Sequence, residues 1–296
     1  VILGKRQLKK QTGQAMVVTS GNANALTGTQ GLADAKEIQF LAAQYLGIPK
    51  HTVFVNSTGI IGRNLPMPVL RRAIPCIVTQ LSRSGHSKAA EAILTTDTKS
   101  KEFSCKWKIG HHTITLGGMA KGSGMIHPNM STMLAFLTTD ANITPQALQR
   151  GLTQAVDQSF NCISVDGESS TNDTVLLLAN GFSEIRVAVD EEQRVADFRD
   201  ALTRVCRYLA EKIVGDGERI TKVVEIKVEG AHDDASAERV CRAIGNSLLV
   251  KTSWYGSDPN WGRLMAAAGY ARAELEFNEI DLFYDEVSAL LKGEPQ

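Results

Sequence analysis

The sequence predicts a mixed α/β protein, either layered α/β or α+β, on three observations. Short runs of β-branched and aliphatic residues, some with period two as in residues 222–229, interleave with stretches whose apolar positions recur at helical spacing. The longest of these stretches carries Val195, Phe198, Leu202, Val205, Leu209 and Ile213 on one face. No Rossmann fingerprint accompanies the pattern, and 296 residues suffice to bury a substantial core in one large domain or two modest ones.

Taken in order, residues 14–19 read as a buried strand ending in a small-residue loop at 20–25. A helix follows over 34–46, because Ile38, Leu41, Ala42, Tyr45 and Leu46 share a face and Gly47 with Pro49 stop it. Residues 52–55 read as the next strand. It empties into Asn56-Ser57-Thr58-Gly59, where a glycine lets backbone N–H groups point into a cavity, or simply makes a strand-to-helix turn. Residues 66–81 read as a helix and 82–87 as a polar loop. Thr95-Thr96-Asp97-Thr98 has the look of a capped turn, and its Thr-Thr-Asp returns at 138–140, a short echo of the kind a duplication leaves.

Residues 103–109 and 113–116 alternate about Gly110-His111-His112, as a hairpin does. Beyond it, 146–156 is helical in pattern, 162–165 and 175–179 read as strands, and the polar run 166–174 between them suits either a site lining or an ordinary loop. The long helix ends near 215–218. Residues 222–229 alternate as a half-exposed strand, and 235–245 form a helix.

Lysine plus arginine equals aspartate plus glutamate at 32 each, with no long block of either sign, which argues against a nucleic-acid or polyanion binder. A small substrate or a protein partner fits better. Five scattered cysteines without a CxxC pair point to reduced thiols, and six histidines without a second ligand cluster point away from a metal site. No apolar run is long enough for a transmembrane helix, so no membrane association is expected. No signal-peptide pattern stands at the start. The chain opens at Val1, so an upstream targeting segment stays open, and the expected location is cytoplasmic, or organellar with such a segment.

The stretch from Lys121 through Gly122, Ser123, Gly124, Pro128, Asn129 and Ser131 to Thr132 packs turn residues ahead of an apolar run reaching Asp140. A loop of this kind delivers a hydroxyl to the start of an element, a placement that suits a nucleophile. Two other readings stand beside it. One is a phosphate cradle, although the lysine precedes the glycines where the Walker order has it after them. The other is a glycine-rich turn feeding a buried strand.

Four blocks, 56–62, 121–140, 166–174 and Asp258-Pro259-Asn260-Trp261-Gly262-Arg263, together resemble the ornithine acetyltransferase family of arginine biosynthesis, also called glutamate N-acetyltransferase. They fall in the family's order and span most of the chain. The resemblance implies a layered αββα-type sandwich of the self-cleaving N-terminal-nucleophile kind, with a smaller C-terminal α/β subdomain. It implies an α segment over 1–131, a β segment completing the catalytic domain over 132–215, and the C-terminal subdomain over 216–296. Self-cleavage between Ser131 and Thr132 would make Thr132 the nucleophile, its own α-amine accepting the proton. Thr58 and Gly59 match the oxyanion-stabilising pair, and Thr95, Lys121 and Glu218, together with Thr132, match substrate contacts.

The implied reaction moves an acetyl group from N2-acetylornithine to glutamate without a cofactor, leaving acetyl-CoA open as a second donor. The implied assembly is a heterotetramer of two α and two β fragments. Three departures bear on these expectations. Serine stands at 131 where the family commonly has alanine, and Arg219 stands where a small residue is usual. Members also extend further at both ends, and substrate-contacting asparagine and threonine residues of their C-terminal extension find no match before Gln296. An N-terminal-nucleophile aminopeptidase or amidase, and a non-catalytic relative that keeps the fold, are the competing readings.

Overall fold

A computed structural model of the chain describes residues 1–109, 111–127, 133–184, 186–187 and 192–296. The chain divides into two units, Val1–Glu218 and Arg219–Gln296. The first begins with helix α1 (Ile2–Leu8), strand β1 (Ala15–Asn22), helix α2 (Gly28–Leu46), strand β2 (Val53–Ile60), and helices α3 (Met67–Thr79) and α4 (His86–Ala92). Strands β3 (Lys101–Ile109), β4 (His112–Lys121), β5 (Leu134–Thr139) and the short β6 (Asn142–Ile143) follow, then helix α5 (Pro145–Asp157). Strands β7 (Thr174–Ala179) and β8 (Arg186–Val187) precede the long helix α6 (Glu192–Val214).

Strand alternation builds the layers. In the parallel pair β1–β2, Ala15, Val17, Val53 and Val55 face Ile38, Ala42 and Ile74 of α2 and α3, while Met16, Val18 and Phe54 face the other way. They meet Met119, Leu134, Phe136, Leu176 and Leu178 from a four-stranded sheet ordered β3-β4-β5-β7. The opposite face of that sheet, with Leu116, Ala135, Leu137 and Leu177, packs against Ala155 of α5 and Phe198, Leu202, Val205 and Leu209 of α6. Helices, sheet, sheet, helices is the resulting order, a layered αββα sandwich as expected. Within the second sheet β3, β4 and β5 run antiparallel and β7 joins β5 in parallel.

The second unit carries helices α7 (Asp234–Asn246), α8 (Leu248–Tyr255) and α9 (Trp261–Gly269) around Val240, Ile244, Val250, Ala267 and Ala268. A small antiparallel sheet of β9 (Leu282–Tyr284), β10 (Val287–Leu291) and β11 (Glu294–Pro295) completes it. The block 258–263 does local structural work here. Asn260 caps α9 by accepting from the Arg263 amide at 3.2 Å, and Arg263 Nη1 donates to Leu249 O at 3.0 Å and Thr252 Oγ1 at 3.2 Å.

Several elements differ from the sequence reading. Residues 20–22 and 56–59 belong to strands, because β1 and β2 keep pairing through Ser20 with Thr58 and Gly21 with Gly59. Helix α2 starts at Gly28, six residues before the expected start at 34 and ahead of the apolar face that begins at Ile38. Helix α4 was missed because only Ala90 within it is buried, which leaves no periodic signal. Residues 162–165 form no strand. The Val165 amide donates to Ile126 O at 2.9 Å, and Val165 packs with Ile163 on the main core. Residues 222–229 likewise form no ladder, and Ile226 and Val228 point into the helical core of their own unit.

Candidate active site

The site is assembled at the ends of strands in the first unit. At the end of β2, Gly59 has φ of +127°, and a Cβ there would lie 2.3 Å from the carbonyl carbon of Gly21. Only glycine fits. Asn22 pairs with both Ile60 and Thr58, a bulge that re-aims the strand end beyond Thr58. Thr58 itself is buried, and Gly59 is exposed.

Lys121 ends β4 opposite Leu134, the first residue of β5. It is 2% exposed, and its Nζ donates to Thr58 Oγ1 at 2.9 Å and Thr95 Oγ1 at 3.2 Å. Burial pulls the Lys121 pKa below the ordinary lysine value. Asp97 opposes that shift, Lys101 adds to it, and Asp173 opposes it again. A hydroxyl that accepts from an ammonium keeps its own hydrogen for donation, so Thr58 is polarised toward stabilising an incoming negative oxygen.

Beyond Lys121 the chain is held by carboxylates. Asp97 Oδ1 accepts from the Gly122 amide at 2.6 Å. Asp166 accepts from the amides of Met125 at 2.5 Å and Ile126 at 2.9 Å. Ser123, almost fully buried, shares a 2.7 Å hydroxyl contact with Thr96, and its carbonyl accepts from the Glu218 amide at 2.8 Å. The Glu218 carboxylate rests on Gly124, where a Cβ would come within 2.6 Å of Oε1. Glycine at 124 therefore makes room for an acid that is itself exposed.

Ser131 and Thr132, the expected cleavage site and nucleophile, lie outside the described residues. The described chain resumes at Met133, whose amide donates to Asp173 Oδ1 at 3.1 Å and whose carbonyl accepts from Thr174 at 3.2 Å. Asp173 Oδ2 is buried without a hydrogen-bond partner among the described residues, and burial pushes the carboxyl up to about 8. One residue earlier, Asn172 Nδ2 donates to Ser57 O at 2.8 Å and to Ala23 O, tying the 166–174 loop to β2 and to the segment after β1.

Lys121 thus contacts both Thr58 and Thr95, Gly59 follows Thr58, and Glu218 reaches the same region through the backbone of Ser123 and Gly124. Sequence reasoning assigned no role to Asp97, Lys101, Asn172, Asp173 or Asp216. The clusters at 95–98 and 166–174 carried a signal for three of them. Lys101 gave none, since a lysine at a strand start reads as a surface charge.

The model of the ArgJ family matches residues 1–296. Among curated proteins, the arginine biosynthesis bifunctional protein ArgJ of a Synechococcus species is 47% identical over 283 residues, 95% of this chain and 68% of the relative. The protein of that name from Symbiobacterium thermophilum is 45% identical over 295 residues, 100% of this chain and 73% of the relative. The crystal structure of ArgJ from Bacillus halodurans is similar at a TM-score of 0.52 and 41% identity, covering 54% of this chain and 76% of that one.

Proposed function

The chain belongs to the ArgJ family, an acyltransferase family of arginine biosynthesis, and on that premise we propose that it passes an acetyl group from N2-acetylornithine to glutamate through Thr132. Cleavage between Ser131 and Thr132 would free an α-amine of pKa about 7.7–8.0, a base poised to take the Thr132 hydroxyl proton near neutral pH. Oγ then attacks the acetyl carbonyl, ornithine leaves, and the amine of glutamate attacks the acyl-threonine ester. The ester keeps the acetyl group activated, so this ping-pong cycle needs no cofactor. Acetyl-CoA would enter only as an alternative acetyl donor.

Each half reaction passes through a tetrahedral oxyanion. The Thr58 hydroxyl and the Gly59 backbone would donate to it, at about 3 kcal/mol per donor. Lys121 would pair with the α-carboxylate common to both substrates, with Thr95 beside it, and Glu218 with the δ-ammonium of ornithine. The observation that most supports this reading is the buried Lys121 ammonium, held by the hydroxyls of Thr58 and Thr95 at the strand end adjoining β5. The chain enters β5 directly after Thr132 and Met133. Assembly of two α with two β fragments and a cytoplasmic location complete the proposal, on family resemblance.

Product analysis tests it. Acetylornithine plus glutamate should give ornithine and N-acetylglutamate in equal amounts. Free acetate without N-acetylglutamate would make the protein a hydrolase instead.

A further inference from the structure

One buried ammonium links the separate arms of the candidate site. Lys101, the first residue of β3, is 2% exposed. Its Nζ donates to Asp97 Oδ1 at 2.7 Å, Asp216 Oδ2 at 2.6 Å and Lys99 O at 3.1 Å, which accounts for all three of its hydrogens. The two carboxylates then spread outward. Asp97 accepts from the amides of Thr95 at 3.3 Å and Gly122 at 2.6 Å. Asp216 accepts from the amides of Thr98 at 3.0 Å and Lys99 at 3.3 Å, and from the Thr98 hydroxyl.

The three places this network touches carry three of the proposed substrate contacts. Thr95 is bonded to Asp97 directly, Lys121 precedes the bonded Gly122, and Glu218 stands two residues after Asp216. Burial works against the charge on both carboxyls, but Lys101 and the surrounding donors overcome it and hold each below its usual range. Two carboxylates against one ammonium also leave a net negative charge, and toward Lys121 the Asp97 charge favours the protonated form while Lys101 opposes it. A buried ion cluster is an expensive way to fill space, since apolar residues of similar volume are often as stabilising. Charges kept at such a cost suggest a task of position and potential.

We propose that Asp97, Lys101 and Asp216 form a positioning cluster that holds Thr95, Lys121 and Glu218 in the spacing needed to bind an amino acid by its α-carboxylate and side-chain end. This rests on the reading of those three residues as substrate contacts.

The test uses the full chain with Lys101→Met, Lys101→Arg, Asp216→Asn and, as reference, Lys121→Met. Folding is followed by circular dichroism, and KM and kcat are measured for acetylornithine and glutamate. Lys101→Met should raise KM for both by about tenfold or more while kcat changes less, and Lys101→Arg should recover part of the loss. Should Lys101→Met fail to fold, Asp216→Asn, which keeps the side-chain shape, is held to the same expectation. A folded variant with a lower melting temperature but unchanged KM, where Lys121→Met does raise KM, overturns the cluster's role alone. If Lys121→Met leaves KM unchanged, the substrate reading fails and the cluster proposal falls with it.

Discussion

Lys121 Nζ lies 2.9 Å from Thr58 Oγ1 with both residues buried, and among the described residues its hydrogen-bond acceptors are the hydroxyls of Thr58 and Thr95. A cation stabilised this weakly is poised to gain from an incoming carboxylate. Lys121→Met should therefore raise KM for both substrates by about ten- to a hundredfold, read in steady-state kinetics. Because burial lowers the Lys121 pKa, the wild-type protein should lose substrate affinity as pH rises through a range below that of ordinary lysines. The sign for stability is opposite. A lowered lysine pKa contributes stability that is present above the unfolded value and is lost as pH falls through the folded one.

Gly59→Ala should destabilise the fold as well as the site. The residue would have to hold φ of +127° with its Cβ 2.3 Å from the Gly21 carbonyl carbon, so β1 and β2 would part at the bulge. A loss of about 2–3 kcal/mol is expected in urea unfolding, together with a fall in kcat.

Asn172→Ala removes both donors that tie the 166–174 loop to Ser57 O and Ala23 O. Buried carbonyls left without partners cost about 1–3 kcal/mol, which a shift in the urea midpoint would register.

Asp173 makes a pH prediction. Burial pushes its carboxyl up to about 8, so the folded state holds a proton that the unfolded state releases near 3.8. Its contribution to stability is full below that unfolded value and is lost as pH rises toward 8. Asp173→Asn imitates the protonated form and keeps an acceptor for the Met133 amide. The variant should flatten the decline in stability between these two values, measured as urea midpoint against pH.

The layers were legible because alternation writes them into the chain: Val53 and Val55 face one core and Phe54 the other, as period two requires. Phe198, Leu202, Val205 and Leu209 gave α6 in the same way. Gly59 misled, since a glycine after a short apolar run reads as a turn, whereas parallel pairing with Gly21 carries the strand past it. Residues 222–229 misled in the opposite direction, because alternation shows that one side is buried but not whether a strand lies alongside. The ion cluster was illegible for another reason. Lys101 is buried between Asp97, four residues before it, and Asp216, 115 residues away, and the second pairing leaves no local pattern.

Intact-mass analysis of freshly purified protein, before and after acetylornithine is added, tests the central role of Thr132 most directly. The wild-type chain should appear as two fragments meeting at Ser131 and Thr132, and the fragment beginning at Thr132 should gain one acetyl group that glutamate removes. Thr132→Ala should stay whole and carry no acetyl group. A Thr132→Ala protein that still moved acetyl groups from acetylornithine to glutamate would contradict the account.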